Sequence, residues 1–115
     1  MDLAVVVLDT EAYVEELASL EDWIRHEELP GVGLVRVPTK PGLEQMGASE
    51  ALGILIHAAP ALLQILRSVH GWLRSQPKKL TVEISNGPRS VKLSTENYSV
   101  ADLDRIVRLL SGAND

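Results

Sequence analysis

Three histidines, sixteen carboxylates and no cysteine set the catalytic and metal-binding chemistry open to this chain of 115 residues. A helical zinc site needs two histidines four residues apart, with a third ligand supplied from elsewhere. His26 opens the stretch HEELP (26–30), which begins like the zincin motif H-E-x-x-H, but Pro30 stands where the second ligand is required. His57 and His70 have no histidine at that spacing either, and without cysteine there is no thiolate to help. No metal site is expected. His57, set in an apolar stretch, reads as a hydrogen-bonded core or interface histidine.

Other reactive groups lack their frames. A P-loop requires a glycine followed by Lys-Ser or Lys-Thr, and none occurs. The first strand-to-helix junction, LDTEAY (8–13), has no glycine and carries two acids, which would repel a phosphate. No serine lies in a G-x-S-x-G elbow. The carboxylate pairs Glu15-Glu16 and Glu27-Glu28 fall on the solvated side of a helix, where nothing raises one pKa above the other as glycosidase chemistry demands. Two Trp, two Tyr and no Phe give no stacking platform for bases. Lys78-Lys79 reads as a solvated loop. The residues therefore point to neither a cofactor nor a nucleic-acid partner, and no catalytic residue can be named.

The elements that must position these groups can be read from periodicity. LAVVVL (3–8) is a short continuous apolar run and reads as a buried strand. Thr10 can cap the following helix, whose apolar positions Tyr13, Leu17, Leu20 and Ile24 recur at helical spacing until Pro30-Gly31. VGLVRV (32–37) is the second strand, and PTKPG (38–42) is a loop. Pro60–Ser75 carries the stripe Leu62, Leu63, Ile65, Leu66, Val69, Trp72 and Leu73. LTVEI (80–84) and SVKLS (90–94) alternate with period two around the turn SNGPR (85–89), with Asn86-Gly87 suited to positive φ. SVAD (99–102) is a variant capping box for a last helix bearing Val100, Leu103, Ile106, Val107 and Leu110.

Between Glu50 and Arg67 lie sixteen residues without a charge. With Ser49 as N-cap the segment reads as a central helix, kinked near His57–Pro60 because Pro60 removes a backbone bond. Its first half is apolar nearly all round, so one sheet face cannot cover it, and the surplus must meet another helix or another molecule. At sixteen residues it falls short of the about 20 that span a bilayer, although Arg74, Lys78 and Lys79 would suit a cytoplasmic flank.

The expected architecture is a single α+β domain over 1–115, ordered β-α-β-α-β-β-α. It has a mixed four-stranded sheet with helices packed on it and a right-handed parallel crossover at its start. The net charge of −5 is uneven: Asp9–Glu28 holds eight acids and one base, Arg67–Arg108 eight bases and four acids. That balance disfavours nonspecific nucleic-acid binding. Asp2 occupies the place of a basic signal-peptide flank, and 3–8 is too short for its apolar core, so a cytoplasmic protein is expected.

Three stretches carry a family resemblance: SLEDWIRHEELPGVGLVRV (19–37), the Pro-Gly loop running into MGASEAL (46–52), and GWLRSQPKKLTVEI (71–84). In this order and spacing, with the tryptophan signatures DWIR (22–25) and GWLR (71–74), the chain resembles the effector-associated constant component family of bacterial conflict systems. It departs in its loop PGLEQMG (41–47), longer than a PGEMG-like form, and in HAAP (57–60), where a glycine-rich break is usual. The resemblance implies a non-enzymatic adaptor that couples a variable effector, often a caspase-like or trypsin-like peptidase, to its regulator. Met46, Gly47, Leu52, Ile56, Trp72 and Trp23 are the partner-binding candidates, with a homo-oligomer also open. The residues leave two alternatives standing: a membrane-associated accessory protein using the apolar segment, and a small hydrolase without a recognisable motif.

Overall fold

The computed structural model describes residues 1–8, 12–38, 50–57, 60–94 and 99–112. Its elements are β1 (Asp2–Leu8), α1 (Tyr13–His26), β2 (Val32–Pro38), β3 (Glu50–Ile56), α2 (Pro60–Ser75), β4 (Thr81–Asn86), β5 (Arg89–Ser94) and α3 (Leu103–Ser111), the last entered through a 3-10 turn at Val100–Asp102. The α+β class is as expected. The sheet is not: among the described residues it has five strands in the order β2-β3-β1-β4-β5, and every neighbouring pair is antiparallel.

The missing strand is the first half of the uncharged segment. Leu52, Ile54 and Ile56 alternate with Ala51, Gly53 and Leu55, and the two sets point to opposite faces. Apolar residues occupy both sets, so the period of two carries no polar signal and the run imitates a helix buried all round. Pro60 then begins α2 at its first residue, where a missing N–H costs nothing, instead of kinking a longer helix. Ser49 and Thr10, read as caps, lie outside the described residues. α1 starts after Ala12, with no side-chain cap bond.

β1 and β2 run in the same direction but never pair, because β3 lies between them. β3 and β4 likewise flank β1. The first six elements thus interleave two split β-α-β units into a ferredoxin-like layout, and β5 with α3 extends it at one side. The expected direct parallel pair is replaced by two crossovers that each skip one strand.

The described helices α1, α2 and α3 cover one face. Leu3, Val5 and Val7 of β1, Leu52, Ile54 and Ile56 of β3, and Val82, Ile84 and Leu93 of β4 and β5 form one core with Leu17, Leu20, Ile24, Ile65, Val69, Trp72, Ile106 and Leu110. The opposite face is graded. Toward β2 it is apolar, with a small buried cluster of Val6, Leu8 and Ala51 beside Ala4 and Val37. Toward β5 it presents Thr81, Glu83, Ser85, Ser90, Lys92 and Ser94.

Two junctions depend on local chemistry. The β4–β5 connection is the two-residue loop Gly87-Pro88, since Asn86 pairs with Arg89. Gly87 has φ 63° and proline cannot adopt positive φ, so the turn is of type II′. At α3 the expected capping box is half formed: the Asp102 carboxylate accepts the Ser99 N–H at 2.9 Å and the Ser99 hydroxyl at 3.2 Å. The Ser99 N–H, with help from that hydroxyl and Arg105, holds the Asp102 pKa below its ordinary value. α3 ends at left-handed Gly112, and the Asn86 amide donates to the Leu110 carbonyl at 2.7 Å, tying the helix end to the hairpin.

Candidate functional site

The two tryptophans lie on adjacent helices and behave oppositely. Trp72 of α2 is fully buried, and its indole N–H donates to the Ser19 hydroxyl of α1 at 3.0 Å. A buried indole N–H needs such a partner, and Ser19 supplies it across the helix pair. Trp23 of α1 stays 37% exposed. Its ring lies over Gly71, where an added Cβ would stand 3.4 Å from Cζ2. A glycine in mid-helix is unfavourable; here it leaves a flat seat for the ring beside Trp72. The motif pair Asp22-Trp23 and Gly71-Trp72 is therefore one packing unit made of two helices.

Around Trp23 a shallow groove is lined by Ser19, Asp22, His26 and Glu27. These residues recur at three- and four-residue spacing, so they share one side of α1. His26 Nδ1 lies 2.7 Å from the Asp22 carbonyl, which can only accept, so that nitrogen is the donor. The groove thus combines an aromatic face with two exposed carboxylates. Such a set suits the aliphatic stem and cationic head of a lysine or arginine.

On the other side of α1, Glu21 accepts from Arg25 at 2.7 Å and from Arg36 of β2 at 2.8 Å. Arg25 first, with Arg36, holds the Glu21 carboxyl below its ordinary pKa against an opposing burial effect. Lys78 pairs with Glu16 at 3.2 Å. The acidic helix is in part neutralised by basic residues from β2 and from the segment after α2, which links the two uneven halves of the charge pattern within one molecule.

The other candidates fall elsewhere. Leu52 and Ile56 are buried on the helix-covered face of β3, and Ile56 exchanges backbone bonds with Met1. With Trp72 they shape the core and offer no surface to a partner in this conformation. Met46 and Gly47 lie outside the described residues. Among the described residues no group of three or more His, Cys, Asp or Glu is gathered as for a metal. His57 is exposed at the end of β3, its N–H donating to the Gly31 carbonyl, rather than in the core. His70 is half-buried in α2; burial first, and then Arg74, lowers its pKa. The membrane reading required a long apolar helix, and the segment is instead a strand followed by an amphipathic helix. No helix among the described residues is long and apolar enough to cross a membrane.

Sequence reasoning missed two surface features, the apolar edge of the sheet at β2 and the groove beside Trp23. Only the second had a signal, the i, i+4 spacing of Ser19, Trp23 and Glu27.

The pattern of one family, Effector Associated Constant Component 1, matches residues 9–114. The chain belongs to that family. The match begins just after β1 and runs beyond α3, so both tryptophan motifs and the β4–β5 extension lie inside it. No curated protein and no solved structure matches the chain. As its name states, an effector-associated constant component accompanies an effector, which makes this chain an accessory component. The α1–α2 seam is accordingly a candidate protein-contact site.

Proposed function

We propose that this effector-associated constant component is a cytoplasmic, non-enzymatic adaptor of a bacterial conflict system. It binds an effector protein, a caspase-like or trypsin-like peptidase, and couples it to its regulator. Family membership supports the association with an effector. The observation that carries the binding reading is Trp23, a large aromatic held on the surface by Gly71 and rimmed by Asp22 and Glu27. Tryptophan is enriched among the few residues that dominate interface energy. Its rim fits a partner segment bearing a lysine or arginine beside an apolar side chain. Trp72, Leu52 and Ile56 contribute by holding α1, α2 and the sheet in place, and Met46 and Gly47 are further contact candidates on the strength of the family motif.

The test is co-expression with a caspase-like or trypsin-like peptidase from the same source, followed by affinity capture and titration of the purified pair. Trp23→Ala should weaken binding by about 30-fold or more, as a hot-spot loss of about 2 kcal/mol implies, with an unchanged circular dichroism spectrum. Asp22→Lys should weaken it as well. Full affinity in both variants would remove the seam as the contact site; failure of the intact chain to bind would remove the adaptor reading.

A further inference from the structure

Among the described residues the sheet has two edges, β2 and β5, and they differ. β5 carries Arg89 and Lys92 and has α3 packed along it, which are the usual devices against edge-to-edge pairing. β2 carries aliphatic side chains on both faces. Val35 is 44% exposed on the open face, beside Leu55 at 36%, while Val32 and Leu34 are half-buried on the helix side. There they line a groove with Ile24, Leu29 and Glu28.

The His57 N–H donates to the Gly31 carbonyl across β2 and β3. In an antiparallel pair this alternation repeats every two residues, so Gly33, Val35 and Val37 direct their N–H and C=O groups to β3. Val32 and Leu34 direct theirs outward. Pro38 obeys the same count, its missing N–H falling on the outer side.

We propose that this edge pairs with the β2 edge of a second copy, related by a two-fold axis through Gly33. Val32 then faces Leu34 of the second copy and Leu34 faces its Val32. Four N–H···O bonds form, two from each copy, with Gly33 opposite Gly33 at the centre. Three observations select a second copy over an unrelated strand. The paired stretch Val32–Leu34 contains no charge, so nothing in it specifies a foreign sequence. It is self-complementary in this register, aliphatic against aliphatic and glycine against glycine. Gly33 also has no reason to be glycine inside one chain: its φ is not positive, and an added Cβ would meet Leu55 only at an ordinary 3.7 Å. A glycine in a strand weakens it and often marks the approach of another backbone. The result is a ten-stranded sheet with both sets of helices on one side. The interface is isologous, so it closes at two copies.

The dimer stands apart from the Trp23 surface, which lies toward α2, and each can fail without the other. The test is the absolute mass of the full chain by light scattering over a concentration series. A rise from 12.5 kDa toward twice that mass is expected. Gly33→Asp and Gly33→Lys, each with an unchanged circular dichroism spectrum, should each halve the mass by placing like charges opposite one another. Mixing the two variants in equal amounts should restore the dimer. A protein that stays at 12.5 kDa throughout, or a dimer that persists in both charged variants, overturns the proposal.

Discussion

Gly71→Ala separates two roles of one residue. The substitution removes the backbone freedom of a mid-helix glycine, which is worth about 1 kcal/mol in favour of alanine. It also adds a methyl at a half-buried position, a gain of about 0.4 kcal/mol if half of a fully buried methylene is counted. Against this stands one contact, 3.4 Å from the new Cβ to Trp23 Cζ2. That distance is at the lower end of ordinary packing, and a ring 37% exposed can move outward by a few tenths of an ångström. The cost should be no more than about 0.5 kcal/mol. The net expectation is a stabilisation of about 1 kcal/mol, a rise of about 4 °C in Tm for a chain of this size. Urea titration followed by far-ultraviolet circular dichroism measures it without relying on either tryptophan. Gly71→Leu, by contrast, must displace the ring, and it should lose effector binding while remaining folded. A Gly71→Ala variant destabilised by 1 kcal/mol or more would show that the seat of Trp23 is rigid and would refute the account of the seam.

Four further outcomes test the packing. Ser19→Ala leaves the Trp72 indole N–H buried without its partner and should cost about 1–2 kcal/mol in urea titration. Ser68 is buried in α2 with no hydrogen-bond partner for its hydroxyl among the described residues, so Ser68→Ala should raise stability by about 1 kcal/mol in the same assay. Glu28 holds φ 50° just after α1, and Glu28→Gly should relieve about 0.5–1 kcal/mol, read as a higher Tm. The Glu21 pKa is lowered in the folded state, so its contribution is present above the unfolded carboxyl value near 4.5 and is lost as pH falls through the folded value. Glu21→Gln should accordingly flatten the acid limb of the stability–pH curve.

The helices were legible because each has one wet side. α1, α2 and α3 bury the expected Leu17, Leu20 and Ile24, the expected Ile65, Val69 and Trp72, and the expected Leu103, Ile106 and Leu110; the β4–β5 hairpin announced itself through period two and Gly87, although Asn86 pairs with Arg89 and the loop is Gly87-Pro88. β3 was not legible, because a central strand apolar on both sides has no wet face to betray its period. Missing it also misplaced Pro60 and turned a split β-α-β into a direct crossover. At the candidate site the two tryptophan motifs were visible, but not which ring would be buried. That choice follows from Ser19 and Gly71, whose significance appears only when α1 and α2 lie side by side.

The central place of β1 governs how the molecule is made. Its neighbours are β3 and β4, and the Ala4–Ser85 pairing closes a loop of 81 residues. At about 5–20 residues per second, the ribosome needs roughly 4–16 s between making the first strand and supplying its second partner. Throughout that interval the apolar run Leu3–Leu8 has at most one side satisfied. Contacts so distant in sequence slow folding. The sheet thus assembles around β1 only once β4 has been made, and the nascent chain is most prone to aggregation until then.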